Sequence, residues 1–107
     1  MKDNNIGCIG LGNVGSELAN SILLGNYNVS IFDLKKTKAT KLINNGAYWC
    51  NSIEELSKRS SIIITCLPSP KSVSKVITGQ NGLINFVNKN HLWIEMSTTD
   101  ESEMIRL

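Results

Sequence analysis

The chain has little of what several classes of protein require. No apolar run approaches the length of a membrane-spanning helix, and the first residues lead into a predicted strand without the long apolar stretch of a signal peptide. The 107 residues include one histidine and three cysteines, and the cysteines lack the spacing of metal ligands. We therefore expect a cytoplasmic protein with free thiols, no metal and no membrane partner.

Charge of one dominant sign is also missing. The 11 basic and 9 acidic residues give a net charge of +2 and are scattered, so no basic stripe indicates a nucleic-acid partner. Lys35, Lys36, Lys38 and Lys41 are interpreted as a solvated helix face. With 41% hydrophobic and 19% charged residues, the composition predicts one globular domain over residues 1–107.

Strands alternate with helices along the chain. The pattern predicts strands at about residues 5–9, 28–32, 47–50, 61–66 and 91–96. It predicts helices at about residues 13–24, 36–45, 53–58 and 70–77, and another that begins near residue 100. The strand at 61–66 is β-branched without alternation, which is typical where helices cover both faces of a sheet. The alternation indicates an α/β fold with a doubly wound parallel sheet.

Two helix boundaries carry local signals. Gly25 is expected to end the first helix in the position just past its last turn. Ser52 and Glu55 have the S-x-x-E spacing of a capping box, in which each residue's side chain accepts a hydrogen bond from the other's main-chain N–H. These signals predict where the helices end and begin.

A glycine-rich turn joins the first strand to the first helix. Residues 10–15 read G-x-G-x-x-G, in which Gly10 allows a tight turn, Gly12 lets the backbone approach a pyrophosphate, and Gly15 lets the helix pack on the strand. The following helix directs unpaired N–H groups at the phosphates. Asp33 ends the second strand, 18 residues after Gly15, where a ribose-binding acid is expected. The set predicts a Rossmann-type dinucleotide site.

The main chemical alternative is a methyltransferase that binds adenosylmethionine. Such enzymes also use a glycine-rich turn and an acid after the second strand, but they prefer the compact spacing G-x-G-x-G. Here Val14 occupies the position of that third glycine, and Gly15 follows it. The spacing favours a dinucleotide.

Ligands of a doubly wound sheet bind beyond the carboxyl ends of its strands. This rule brings together the glycine turn, the exit of the fourth predicted strand at residues 67–70 and the exit of the fifth at residues 97–99. All three segments are expected to line one crevice. His91 precedes the fifth strand at the opposite end, so a surface role is predicted for it.

Several motifs together resemble the N-terminal domain of the β-hydroxyacid dehydrogenase family, which includes 3-hydroxyisobutyrate and 6-phosphogluconate dehydrogenases. The resemblance extends from residue 6 to about residue 99. Its motifs are Gly7-Cys8-Ile9-Gly10-Leu11-Gly12-Asn13-Val14-Gly15, Gly46-Ala47, Leu67-Pro68, Gly79 with Gly82-Leu83, and Trp93-Ile94-Glu95-Met96-Ser97-Thr98. The sequence departs from the family at Val14, where Met is usual, at Glu95, where Asp is common, and at Glu101, where Pro is frequent.

The resemblance implies roles for individual residues. It places the main chain of Leu11, Asn13 and Val14 in contact with the pyrophosphate. It places Leu67 and Pro68 beside the nicotinamide ribose. It also implies that Thr98 contacts the cofactor near the reacting ring and that Ser97 contacts the substrate. The glycines and Asp33 complete the implied cofactor site.

Asp33 also bears on the choice of cofactor. A carboxylate there accepts both ribose hydroxyls of NAD and repels the 2′-phosphate of NADP. NADP-preferring relatives tend to carry Asn-Arg where this chain has Asp33-Leu34, although Lys35 or Lys36 is within reach of a phosphate. The sequence therefore favours NAD, with NADP as the alternative.

The resemblance implies hydride transfer between the nicotinamide and a small 3-hydroxy acid. The general acid/base of such enzymes is a lysine in a helical domain that has no counterpart here, so no catalytic residue is assigned and the lysine is expected beyond Leu107. We interpret the chain as an N-terminal fragment of a longer dehydrogenase, inactive alone, with homo-oligomers expected only for the full-length form. The alternatives are a stand-alone dinucleotide-binding module and an imine reductase or phosphogluconate-type relative.

Overall fold

The protein forms a five-stranded sheet in which every neighbouring pair of strands is parallel. The computed structural model describes residues 5–67, 70–79 and 82–96. The strands are β1 (Asn5–Ile9), β2 (Asn28–Phe32), β3 (Tyr48–Trp49), β4 (Ile62–Thr65) and β5 (Leu92–Glu95). They lie in the order β3-β2-β1-β4-β5, so the chain winds outwards from β1 in both directions. This arrangement confirms the predicted doubly wound α/β fold.

Helices cover both faces of the sheet. They are α1 (Asn13–Leu24), α2 (Thr40–Asn44), α3 (Ile53–Arg59) and α4 (Pro70–Val73). A 3₁₀ turn at Lys36–Ala39 leads into α2, a π-helical turn at Ser74–Thr78 continues α4, and a second 3₁₀ turn spans Leu83–Asn85. The helix predicted near residue 100 lies outside the described residues.

Each face has its own apolar core. On one face, Ala19 of α1 and Leu42 of α2 pack in the same cluster as Ile31 of β2. On the other face, Leu56 of α3 packs in the same cluster as Ile63 of β4. Burial on both faces explains the unbroken apolar run of β4, since Ile64 packs in the first core and Ile63 in the second.

The first helix ends at Leu24 as predicted, but Gly25 does not take the position expected for it. Gly25 takes ordinary backbone angles, with φ −84°, and its N–H donates to the last carbonyls of α1. The left-handed conformation falls on the next residue, Asn26, with φ 68°. Asparagine tolerates this region better than most residues, so the glycine is not required there.

The capping box of α3 forms only in part. The Ser52 hydroxyl accepts a hydrogen bond from the Glu55 N–H at 3.1 Å, as predicted. The Glu55 carboxylate, however, accepts from the N–H of Asn51 at 2.8 Å instead of that of Ser52. Its other oxygen accepts from the Tyr48 hydroxyl at 2.9 Å, so the box joins α3 to the edge strand β3.

No helix within the described ranges has the length and apolar character that crossing a membrane demands. The same ranges contain no group of three or more histidine, cysteine or acidic side chains placed to hold a metal ion.

Candidate cofactor site

The three glycines of the turn have three different surroundings. Gly10 has φ +99°, and a Cβ there would overlap the carbonyl oxygen of Cys66 at the exit of β4. A Cβ on Gly15 would overlap the carbonyl oxygen of Gly10, so α1 lies directly against the turn. A Cβ on Gly12 would meet nothing within 4 Å. The fold therefore requires glycine at Gly10 and Gly15, where main chain packs against main chain, whereas Gly12 faces open space.

The first turn of α1 has no cap of its own. Gly12 precedes the helix without a side chain to accept an N–H, and the first turn contains no acidic residue. The Gly12 carbonyl accepts from the N–H of Ser16 at 2.8 Å, and the Ser16 hydroxyl donates to the Leu11 carbonyl at 2.8 Å. The N–H groups of residues 13–15 precede the first intrahelical hydrogen bond, so they point outwards beside the open space at Gly12. This end of the helix is suited to bind an anion.

Asp33 connects the exit of β2 to the glycine turn. One carboxylate oxygen accepts from the N–H of Leu11 at 2.7 Å, and the other accepts from the N–H of Lys35 at 2.8 Å. Each oxygen retains a second lone pair, so the half-buried carboxylate is held in place and still able to accept hydroxyl groups. The role of Asp33 within the protein is thus to fix the turn, a contact that sequence reasoning missed.

A cavity of about 190 Å³ opens where the turn meets Asp33. It is bounded by main chain, apolar side chains and two lysines. The lining residues are Ile9, Gly10, Phe32, Asp33, Leu34, Lys35, Lys38, Leu67 and Val76. A wider cavity of about 480 Å³ adjoins it and shares Phe32, Leu34 and Val76. Together the two cavities form a cleft along the carboxyl edge of the sheet.

Several residues of this cleft have no cofactor role in the sequence prediction, among them Leu34, Lys38 and Val76. Leu34 directly follows Asp33, a position in the sequence that could have marked it, and the structure leaves its apolar side chain half exposed. Val76 falls within the helix predicted over residues 70–77, but the sequence does not predict that this part of the helix is π-helical or that it reaches the cleft. Lys38, which the sequence predicts on a solvated helix face, lines the cavity from the 3₁₀ turn.

The structure brings most of the predicted cofactor residues to one edge of the sheet. These residues are Gly10, Leu11, Gly12, Asn13, Val14, Gly15, Asp33 and Leu67. Pro68, Ser97 and Thr98 lie outside the described residues, so their positions stay predictions.

His91 lies apart from this site. Its Nε2 is 2.7 Å from the Ser57 carbonyl oxygen, and its Nδ1 accepts from the N–H of Asn88 at 3.0 Å. The ring therefore joins the loop before β5 to α3. The prediction that it takes no part in proton transfer at the crevice agrees with this position.

The sequence family defined by the NAD-binding domain of 6-phosphogluconate dehydrogenase matches residues 5–107. The chain belongs to this family. As an NAD-binding domain of this family, it is also similar to a probable mitochondrial 3-hydroxyisobutyrate dehydrogenase of Dictyostelium discoideum. The two sequences are 35% identical over 95 residues, which cover 89% of this chain and 30% of the relative.

Solved structures share the fold of this NAD-binding domain. The 3-hydroxyisobutyrate dehydrogenase of Mycobacterium tuberculosis with L-serine superposes with a TM-score of 0.83 at 24% identity and covers 95% of this chain and 34% of that one. An imine reductase of Myxococcus stipitatus with NAD⁺ gives a TM-score of 0.80 at 20% identity over 92% of this chain and 33% of that one. The chain thus spans about a third of the length of these relatives.

Proposed function

We propose that residues 1–107 form the nucleotide-binding part of a longer NAD-dependent dehydrogenase that acts on a small 3-hydroxy acid. The observation that carries the proposal is the open space at Gly12, which lies beside the uncapped N-terminus of α1. The reaction class is supported by the family match and by the similarity to 3-hydroxyisobutyrate dehydrogenases. For the longer protein we propose a homo-oligomer in the cytoplasm; the described cysteines are free thiols, as a reducing compartment requires.

In this proposal the main chain of the turn binds the cofactor's pyrophosphate. The N–H groups of residues 13–15 donate to the phosphate oxygens, and Gly12 leaves room for them to approach. Asp33 accepts the hydroxyl groups of the adenosine ribose with the lone pairs that Leu11 and Lys35 leave free. Leu34 and Val76 supply apolar surface for the adenine on either side of the cleft.

Four residues of this chain have proposed roles in hydride transfer. A bound nicotinamide supplies the hydride acceptor, and Leu67, Pro68 and Thr98 are proposed to position it. Ser97 is proposed to contact the substrate. We assign no general acid/base within residues 1–107 and propose that a lysine elsewhere in the longer protein holds that proton. The chain by itself should therefore bind the cofactor without oxidising a substrate.

A cofactor titration tests the proposal. NADH added to the purified chain is expected to quench tryptophan fluorescence saturably, because Trp49 stacks on Phe32, whose side chain lines the cleft, with ring centroids 5.8 Å apart. The same sample with NAD⁺ and 3-hydroxyisobutyrate should produce no NADH. A crystal soaked with NAD⁺ should contain the adenosine diphosphate moiety at the turn. The diphosphate at any other place, or catalytic turnover by the chain alone, would contradict the proposal.

A further inference from the structure

A separate cavity lies at the opposite edge of the sheet from the cofactor cleft. Its volume is about 510 Å³, within the range typical of small-molecule sites. The first residues of three neighbouring strands line it, namely Asn5 of β1, Asn28 of β2 and Tyr48 of β3, together with Arg59 from the end of α3. The cleft at the glycine turn follows the carboxyl ends of the same strands, so the two sites are separated by the length of the sheet.

Arg59 is held in place by two contacts within this cavity. Its guanidinium carbon lies 3.6 Å from the centroid of the Tyr48 ring, close enough for a stacked cation–π contact. Its Nε donates to the Ser30 hydroxyl at 3.2 Å, and Ser30 is only 5% exposed. These contacts fix the guanidinium plane and use one of its nitrogens.

The pKa of the Glu55 carboxyl is lowered first by the hydrogen bond from the Asn51 N–H, then by that from Tyr48, and also by the charge of Arg59, so this carboxylate lies within electrostatic reach of the guanidinium. Both oxygens of Glu55 accept hydrogen bonds, one from the Tyr48 hydroxyl and the other from the N–H of Asn51. In the part of the chain that the structure describes, the one salt bridge joins Lys58 to Glu54 at 3.1 Å, so no carboxylate oxygen there lies within 4 Å of the Arg59 guanidinium. Its two terminal nitrogens are therefore available, with the planar geometry that matches an oxyanion.

We propose that the cavity at the amino edge of the sheet binds a small molecule through its carboxylate or phosphate group, with the terminal nitrogens of Arg59 as the donors. Tyr48 supports the guanidinium from beneath, and Asn5 and Asn28 line the remaining polar wall. Arginine suits this role because its N–H groups form a fixed fork that donates to two oxygens at once. The inference does not depend on dinucleotide binding at the turn.

Nuclear magnetic resonance of the ¹⁵N-labelled chain provides the test. Inorganic phosphate and sodium acetate are titrated separately at constant ionic strength, and the Arg59 Nε–H signal and the main-chain signals of Ser30 and Tyr48 are followed. At least one anion should shift these signals saturably, and the anion that does so assigns the ligand as a phosphate, a carboxylate or either. The signals of residues 12–15 report separately on binding at the glycine turn.

Two variants complete the experiment. Arg59→Lys keeps the charge but loses the fork and the Ser30 contact, so the apparent affinity should fall at least about tenfold. Lys58→Gln removes a neighbouring charge and should leave the affinity unchanged; NAD binding should be unchanged in both variants. The proposal is overturned if the Arg59 signal of the wild-type chain does not saturate with either anion. Equal affinities in the wild type and Arg59→Lys would overturn it as well.

Discussion

Residues that share one motif perform different physical tasks in the glycine turn. Gly10 and Gly15 are needed by the fold, because a side chain at either position would overlap a carbonyl oxygen of the protein itself. Gly12 is needed by the ligand, because its surroundings within the protein are empty. Asp33 serves both purposes, since it binds the N–H of Leu11 and faces the cavity.

Substitutions in the turn should separate these tasks. Gly12→Val should retain the fold, at a cost of at most about 1 kcal/mol as a poorer residue before the helix, and should abolish NAD binding. Gly10→Val should destabilise the chain by more than about 3 kcal/mol, because it adds left-handed strain to an overlap with the Cys66 carbonyl. Urea denaturation and NADH titration measure the two effects. Intact NAD binding by Gly12→Val would count against the site.

Asp33→Ala should weaken NAD binding about ten- to hundredfold, which corresponds to the loss of charged hydrogen bonds. NADP should lose less affinity, because its 2′-phosphate no longer faces a carboxylate. Asp33→Asn is the matched control, since its amide oxygen can still accept from the Leu11 N–H, while the charge and the acceptor for the Lys35 N–H are lost. Titration of both cofactors against the three proteins distinguishes charge from hydrogen bonding. Unchanged affinities would remove Asp33 from the site.

At the scale of elements, α3 shows how a short helix is stabilised by its surroundings. The Ser52 hydroxyl satisfies one N–H of its first turn, and Glu55 joins it to β3. The sequence predicted the cap from the S-x-x-E spacing. It did not predict that Glu55 would accept from Asn51 and Tyr48, because those partners are brought to it by the path of the chain through β3.

Ser52→Ala should lower the free energy of unfolding by about 1 kcal/mol through loss of the α3 cap. Ser52→Asp is the matched control and should retain most of the stability, because aspartate caps helices as well as serine does. Urea denaturation followed by circular dichroism measures both. A variant Ser52→Ala as stable as the wild type would mean that the hydrogen bond at 3.1 Å contributes nothing net.

The whole molecule buries its three thiols in the two cores on either side of the sheet and beside the turn. Burial raises the pKa of the Cys8 thiol to about 12 and that of the Cys50 thiol to about 11. For Cys66 the pKa is also raised, first by burial and then by the charge of Glu95. The reactive thiolates are therefore suppressed in the folded protein at neutral pH.

Native protein at pH 8 should consequently react slowly with a thiol reagent such as dithionitrobenzoate, and the unfolded chain in urea should react promptly at all three cysteines. Rapid stoichiometric labelling of the native chain would contradict the burial.

The raised pKa values favour the protonated thiols in the folded state, so their contribution to stability is complete below about pH 9 and is lost as the pH rises towards 11 to 12. Urea denaturation at pH 8, 9.5 and 10.5 should show this decline.

The sequence by itself determined the alternation of strands and helices, the parallel sheet and the glycine turn with its acid, because these depend on local apolar periodicity and on glycine spacing. Only the tertiary structure decided that Asn26 takes the left-handed position after α1, that a π-helical turn brings Val76 to the cleft, and that Arg59 lies over Tyr48. The positions of Val76 and Arg59 depend on side chains from other elements that meet once the sheet has formed. Local patterns carry no information about such meetings.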